Sequence, residues 1–382
     1  MELASFSGPP PRITSLLIKP ASALCNLDCA YCFYLDRATD PYHQLKSRTM
    51  TLETLETLVD RWLFYSYPES VLAFQGGEPT LAGLPFYRRL VEFEQRHGRN
   101  GQNVSNALQT NGMLLDRDWC RFFRDYNWLI GISLDGPEAI HNQYRVNKAG
   151  HPTYSRVMQS VELMQKHKVE FNVLCVLSKA NVGKARELYR FYRKIGVDNL
   201  QFIPLSEFDP NGNALPFTVT AEEYGRFLCE IFDLWWPDRR KVRLRFFDNL
   251  AEALAGQKPG TCTMHRSCDS YVVVEYNGDV YPCDFFVEGD WKLGNVTVDS
   301  FPELARRQKR FEFASKKSLP HQECQECTWR GLCHGGCPKS RQGRRGQFED
   351  LDHFCESYKM AFEKSVPALR EEVRKILSQP HR

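Results

Sequence analysis

Apolar and polar positions alternate in two rhythms over the first 236 residues. Short runs dense in Val, Ile, Leu and Phe recur between longer stretches whose apolar residues fall at helical spacing. The short runs predict strands at Ile13–Lys19, Val71–Gln75, Val104–Thr110, Leu129–Leu134, Glu170–Leu177 and Leu200–Pro204. The longer ones predict helices at Leu52–Tyr65, Pro85–Gln95, Asp116–Tyr126, Tyr154–His167, Val182–Lys194 and Ala221–Trp235. Thr51, with Glu53 and Thr54 behind it, has the composition of a helix start. Six consecutive strand–helix units imply a parallel sheet with helices outside it, because parallel strands need long crossovers. Periodicity alone fits a barrel and a doubly wound sheet equally well.

The alternation stops near Pro237–Lys241, and cysteines become denser beyond it. We therefore expect one unit over 1–240 and a second over 241–382. The turn formers Asp209-Pro210-Asn211-Gly212-Asn213 read as a hinge-like stretch before that boundary. In the second unit, two β-rich runs flank Asn277-Gly278 within Tyr271–Asp284, which predicts a hairpin with a type I′ turn.

Composition narrows the class. Of 382 residues, 42% are apolar and 25% charged, as in ordinary globular chains. The net charge of +3 supplies no global basic field for nucleic acid. The basic run Lys339–Arg345 is expected to be a solvated face. No signal peptide and no membrane-spanning run is visible, so a cytoplasmic protein without membrane contact is expected. Fourteen cysteines in such a chain point to metal binding or redox chemistry rather than disulfides.

The first cysteines, Cys25, Cys29 and Cys32, follow the first strand at C-x3-C-x2-C spacing. Four thiolates normally hold an iron–sulfur cluster, so three imply one iron left open for catalysis. Zinc, or a redox thiol pair, suits the same residues in isolation. Gln75-Gly76-Gly77-Glu78-Pro79 follows the second strand, Gln109-Thr110-Asn111-Gly112 ends the third, and Ser133-Leu134-Asp135-Gly136-Pro137 ends the fourth. Functional motifs at the C-terminal ends of parallel strands favour the barrel.

The three-cysteine motif, with aromatic Tyr31 before its last cysteine, resembles the signature of radical S-adenosylmethionine (SAM) enzymes. The resemblance implies a partial (β/α)6 barrel of the TIM type. It also implies a [4Fe–4S] cluster whose open iron chelates SAM, and a 5′-deoxyadenosyl radical made by reductive cleavage. In that family the Gly76-Gly77-Glu78 motif contacts the methionine amine of SAM. Ser133 and Arg145 match positions holding its carboxylate and ribose region, and Leu205 matches a backbone contact to adenine. Tyr31, Phe33 and Tyr34 line the SAM and peptide site or pack in the core.

The second cysteine set comprises Cys262, Cys268, Cys283, Cys324, Cys327, Cys333, Cys337 and Cys355. Eight thiolates suffice for two closed four-thiolate sites; structural zinc is the alternative for such spacings alone. The C-x9-G-x4-C element (Cys268, Gly278, Cys283) and the C-x2-C-x5-C-x3-C-x17-C element resemble the SPASM domain, a cysteine-rich α+β module of radical SAM enzymes. By that resemblance Cys262, Cys268, Cys283 and Cys337 hold one auxiliary [4Fe–4S] cluster, and Cys324, Cys327, Cys333 and Cys355 hold the other. The remaining Cys120, Cys175 and Cys229 are expected in the core.

Asp284 follows a cluster ligand in Pro282-Cys283-Asp284-Phe285. A carboxylate fixed there can serve as a base during oxidation, or can simply close a hairpin end. With both cysteine sets, this segment resembles the anaerobic sulfatase-maturating enzymes. They convert a cysteine or serine in a Cys/Ser-x-Pro-x-Arg segment of a sulfatase to Cα-formylglycine. The resemblance implies hydrogen abstraction from Cβ, proton removal by Asp284 and electron transfer to an auxiliary cluster. Implied partners are the sulfatase and an electron donor such as flavodoxin or ferredoxin, with the enzyme a monomer. A SPASM maturase of another peptide is the rival reading, and an iron–sulfur electron carrier is the non-enzymatic one. Only 24 residues precede Cys25, too few for the extra peptide-binding domain of many other maturases, which favours the sulfatase reading.

Overall fold

The computed structural model describes residues 12–34, 41–42, 48–209, 211–319, 321–341 and 348–378. Six strand–helix units build the first part. Their parallel strands are β1 (Ser15–Lys19), β2 (Glu69–Phe74), β3 (Asn103–Thr110), β4 (Leu129–Ser133), β5 (Phe171–Leu177) and β6 (Asn199–Pro204). The helices are α1 (Leu52–Ser66), α2 (Leu84–His97), α3 (Arg117–Asp125), α4 (Glu138–Tyr144), α5 (Tyr154–His167), α6 (Ala185–Lys194) and α7 (Ala221–Trp235). All six expected strands and six expected helices form. Only the short α4 has no sequence signal, because just Ile140 and His141 of its seven residues are buried. Helix α1 starts where the cap signal places it, with Thr54 N donating to Thr51 Oγ1 at 3.1 Å. Its Leu55, Leu58, Val59, Trp62 and Leu63 form one buried stripe against the sheet.

Strands β1 to β6 pair in sequence order, as a partial barrel requires. Between the strands and their outer helices, Phe74, Tyr87, Trp119, Phe123 and Trp128 form a cluster of edge-to-face and tilted aromatic contacts. Each such buried ring contributes roughly 1.5–3 kcal/mol of hydrophobic stabilisation, beside which the marginal propensity of a lone strand is minor.

The sheet does not stop at the expected boundary near residue 240. After β7 (Arg243–Leu244) and α8 (Arg245–Leu254), the chain crosses to the other edge as β8 (Tyr271–Glu275), β9 (Asp279–Tyr281) and β10 (Gly294–Asn295). β7 extends β6, and β8 pairs in parallel with β1 in the register Ser15↔Tyr271 to Lys19↔Glu275. The final order is β10-β9-β8-β1-β2-β3-β4-β5-β6-β7. Short helices α9 (Phe301–Arg306), α10 (Gln308–Ser318), α11 (Arg330–Cys333) and α12 (Pro338–Arg341) accompany the later cysteines, and α13 (Cys355–Leu377) lies along α7. Gly225 of α7 admits that contact, since a Cβ there would stand 2.5 Å from Met360 Sδ.

Three local expectations change. The β8–β9 connection is a three-residue loop rather than a type I′ turn: Gly278 N donates to Glu275 O, and Gly278 takes φ +85° while Asn277 keeps negative φ. That is a type I turn followed by a left-handed glycine. The hinge-like stretch around Asp209 is an ordered turn, with Asp209 Oδ1 accepting from Asn211 N and Asn213 N at 2.8 Å each; Pro210 lies outside the described residues. The basic run is not a solvated face where it is described. Arg341 is buried among the carbonyls of Gly335, Lys317 and His334, and Lys339 reaches Ser206 O at 2.9 Å. Positions 342–345 lie outside the described residues. Among the described residues no helix is long and apolar enough to cross a membrane.

Candidate active site

The C-terminal ends of the parallel strands converge on the Cys25–Cys32 loop. This loop is bound on two sides. Asp28 N donates to Val146 O at 2.8 Å, and Ala30 N donates to Tyr144 O at 3.2 Å, which ties it to the end of α4. On the other side, Gly77 N donates to Ser22 O at 2.8 Å and Glu78 N to Leu24 O at 2.7 Å. Gly76 and Gly77 do admit a close neighbour to the backbone, but that neighbour is the cysteine loop itself. A Cβ on Gly76 would stand 2.5 Å from Ser22 O, and one on Gly77 2.1 Å from Leu24 O.

Glu78 is fully buried and its carboxylate is occupied. It accepts from Thr80 N, from the Thr80 and Thr110 hydroxyls, and from Asn111 N at 2.8 Å. The side chain therefore braces β2 to β3, and any contact of this motif with SAM falls to its backbone. Burial raises the Glu78 pKa, opposed by those hydrogen bonds. The braced Asn111 turns its Nδ2 towards Cys25 Sγ at 3.6 Å. In the sequence Asn111 is only a strand end; its place beside the cysteine loop becomes visible in three dimensions.

Arg145 is held rather than free. Its Nε donates to Asp135 Oδ2 at 2.9 Å and its Nη2 to Asp135 Oδ1 at 3.2 Å, while its guanidinium lies 5.5 Å from the Tyr31 ring centre. The Tyr31 hydroxyl donates to the same Asp135 carboxylate, which also accepts from Val176 N at 3.0 Å. Asp135 therefore aligns two expected cofactor residues, a role the sequence does not disclose although the loop after strand four stands out in it. Ser133 Oγ accepts from Gln109 Nε2 at 3.1 Å. Leu205 packs with Leu27, Cys29 and Tyr31, and its own N–H and C=O already bond Leu177 O and Val219 N. Tyr144 and Phe217 complete an aromatic triangle with Tyr31 at centroid distances of 5.8 to 6.5 Å.

The cysteines gather in three groups, within each of which the thiols lie close enough to repel one another as thiolates. Cys25, Cys29 and Cys32 form the first. Cys262, Cys268, Cys283 and Cys337 form the second. Cys324, Cys327, Cys333 and Cys355 form the third, and together they line one pocket with Trp329, Tyr358 and Phe362. Burial pushes Cys25 up to about 11 and Cys29, Cys268 and Cys333 up to about 12. Among the described residues no three such side chains close on a single ion-sized point. Of the remaining cysteines, Cys120 and Cys175 are fully buried, and Cys229 is half-buried beneath α13 with its thiol towards Met360 O.

Asp284, next to Cys283, is buried and faces the first cysteine loop. The hydroxyl of Tyr34, two residues beyond Cys32, donates to Asp284 Oδ2, and Gln75 Nε2 donates to the same oxygen at 3.2 Å. Lys19 Nζ stands 3.5 Å from Asp284 Oδ1 and 2.6 Å from Glu275 Oε1. Phe33 packs between Tyr34 and Phe285 in tilted contacts at centroid distances of 4.0 and 4.9 Å. Lys19 and Glu275 are not among the residues singled out in the sequence. The usable signal is a charge at the C-terminal end of an otherwise apolar strand, which in a barrel points towards the site.

A profile of the Radical SAM superfamily matches residues 20–192, and an iron–sulfur cluster-binding (SPASM) profile matches residues 262–328. Over 362 residues the chain is 40% identical to the cysteine-type anaerobic sulfatase-maturating enzyme of Clostridium perfringens, covering 93% of this chain and 97% of that one. The chain belongs to the anaerobic sulfatase-maturating enzymes. It is 35% identical to the serine-type enzyme of Bacteroides thetaiotaomicron, over 95% of this chain and 92% of that one. The structure of anSMEcpe with bound AdoMet and Kp18Cys peptide superposes with a TM-score of 0.88 at 38% identity, covering 96% of this chain and all of that one. Streptococcus suis SuiB shares the fold alone, with a TM-score of 0.64 at 15% identity.

Family membership brings SAM, a [4Fe–4S] cluster for it and auxiliary clusters in the SPASM part. The donor sets suit these groups. Four thiols converge on one pocket without three of them closing on a single ion-sized point, as thiolates that bind separate irons of a cluster should.

Proposed function

We propose that the protein oxidises a cysteine or serine in a Cys/Ser-x-Pro-x-Arg segment of a sulfatase to Cα-formylglycine, with Asp284 as the base. One contact carries the reading. The Tyr34 hydroxyl, from the loop of the first three cysteines, donates to the carboxylate that follows Cys283. The proposed base thereby links the loop of the first three cysteines to the segment that carries Cys283. In this reading Cys25, Cys29 and Cys32 hold the SAM cluster. Cys262, Cys268, Cys283 and Cys337 hold the nearer auxiliary cluster, and Cys324, Cys327, Cys333 and Cys355 the farther one.

When bound, SAM and the clusters supply hydrogen-atom abstraction at Cβ and an acceptor for the second electron. The protein's own groups do the rest. Arg145, aligned by Asp135 and Tyr31, would offer a guanidinium edge to the SAM carboxylate, and Ser133, held by Gln109, would join it in holding the carboxylate and ribose region. With the Glu78 carboxylate occupied, a contact of this motif to the methionine amine would come from its backbone carbonyls. Because the Leu205 backbone is already bonded, its side chain, with Tyr144 and Phe217, would serve adenine as an apolar wall rather than through the expected backbone contact. Asp284 takes the thiol or hydroxyl proton, and a carboxylate already oriented by Tyr34, Gln75 and Lys19 needs no reorganisation to do so. Phe33, Tyr34 and Phe285 pack beside Asp284 and give its surroundings an apolar flank. We place the enzyme in the cytoplasm as a monomer supplied by a flavodoxin or ferredoxin.

The test is mass spectrometry of a Cys- or Ser-x-Pro-x-Arg peptide after anaerobic incubation with reconstituted protein, SAM and reductant. Formylglycine with matching 5′-deoxyadenosine is expected. Deoxyadenosine with an untouched peptide would overturn the substrate. For the base, Asp284→Asn is expected to abolish peptide oxidation while SAM binding persists; undiminished oxidation would remove Asp284 from that role.

A further inference from the structure

Strand β8 presents Tyr271, Val273 and Glu275 on one face, because alternate residues of a strand point the same way. The two polar residues of that face grip two successive residues beyond β9. Glu275 bonds Lys19, whose Nζ reaches Asp284, while the Tyr271 hydroxyl donates to Cys283 Sγ at 3.3 Å. Tyr271 is partly buried and packs with Val273, Tyr281 and Val287, so its ring is fixed and its hydroxyl is aimed.

A donor directed at a cluster thiolate stabilises the more negative, reduced form, and hydrogen bonds to sulfur are among the controls on cluster potential. We infer that Tyr271 raises the reduction potential of the auxiliary cluster held by Cys283, so that this cluster accepts the electron leaving the substrate. The inference rests on the reading of Cys283 as a ligand of that cluster.

The step balances. After hydrogen-atom loss from Cβ, the substrate radical loses one proton from its thiol or hydroxyl to Asp284. It loses one electron to the cluster, and a carbon–sulfur or carbon–oxygen double bond forms. Proton and electron leave towards neighbouring residues of the chain, and β8 positions both destinations. Tyr271 is a positioning residue in this scheme; it does not touch the substrate.

The test uses the reconstituted holoenzyme and Tyr271→Phe, which keeps the ring and removes only the donor. Potentials are read by redox titration followed with electron paramagnetic resonance, and iron and sulfide content are measured alongside. The expected result is a shift of one auxiliary midpoint to more negative potential. The midpoint of the SAM cluster stays unmoved, and the yield of formylglycine per deoxyadenosine falls. An auxiliary midpoint that is unchanged or raised overturns the inference. Cys283→Ala separates the two layers of the argument. Loss of one auxiliary signal upholds the ligand assignment, whereas full cluster content and three intact signals overturn that assignment and the inference with it.

Discussion

Lys19, the last residue of the first strand, holds its Nζ 3.5 Å from a carboxylate oxygen of Asp284, a residue distant in sequence that follows β9. The contact exists because β8 lies beside β1 in register, which sets Glu275 opposite Lys19 and turns the ammonium towards the hairpin end. A cation so placed keeps Asp284 oriented with one oxygen towards Tyr34 and Gln75.

Lys19→Met should therefore separate SAM cleavage from peptide oxidation. A positioned general base is worth about 10²–10⁴-fold in rate, and losing its anchor should forfeit about tenfold or more. Deoxyadenosine formation without peptide and cluster content should both persist. Glu275, already pushed above the usual carboxylate range by burial, should take up a proton rather than remain an unpaired buried charge. Paired quantitation of deoxyadenosine and formylglycine checks this, and equal losses of both would refute it.

Gly77→Ala tests the packing of the first cysteine loop. Its new Cβ would meet Leu24 O at 2.1 Å, and because that neighbour is backbone it cannot swing aside. The Cys25–Cys32 loop must shift, so the variant should lose the SAM cluster while the auxiliary clusters load normally. Iron content and the spectrum of the reduced protein report the difference.

Asp135→Asn tests the alignment of Arg145. The substitution keeps the shape but removes the charge that faces a buried guanidinium, and breaking such a pair costs about 3–5 kcal/mol. A lower Tm and a SAM affinity weakened about tenfold or more are expected, read by thermal denaturation and equilibrium binding.

Glu94 predicts a pH effect on stability away from the site. Burial between α2 and β3 pushes its carboxyl up to about 7, against a bond from Asn106 Nδ2. The folded protein therefore holds this proton more tightly than the unfolded chain, whose carboxyl has the ordinary value of 4.5. The stabilisation is complete below pH 4.5 and is lost as pH rises towards about 7. Glu94→Gln should flatten that slope and stabilise the protein at pH 8 by about 1–3 kcal/mol. Denaturant titrations of both proteins at pH 5 and pH 8 provide the comparison.

Much of this architecture is legible in local pattern. The six barrel strands are visible because β-rich apolar runs alternate with amphipathic ones; the two cysteine sets stand out by their spacing, whereas the partition of the later eight into two groups of four comes from the resemblance to the SPASM domain. Helix α4 is not visible, since seven mostly polar residues carry too little periodicity. The β8–β9 loop departs from its expected form because Asn277-Gly278 suits a two-residue turn, while the chain adds Tyr276 to the loop and gives only Gly278 a positive φ. The contacts of Lys19, Glu275 and Tyr271 with the Cys283-Asp284 segment depend on β8 joining β1, a pairing between distant segments that no local propensity encodes. Glu78 illustrates the converse. Its motif is recognisable in the sequence, but only the structure reveals that Thr80, Thr110 and Asn111 occupy its carboxylate.

The pairing of β8 with β1 also bears on how the protein can be divided. β1 lies inside the sheet only because β8 covers one of its sides. A fragment ending at residue 240 would leave that side as a bare row of amide and carbonyl groups in an apolar strand, Ser15-Leu16-Leu17-Ile18-Lys19. Uncapped strands of this kind recruit other chains. The C-terminal part is thus a built-in guard against self-association, and a cut placed between the two would yield aggregates rather than a working barrel.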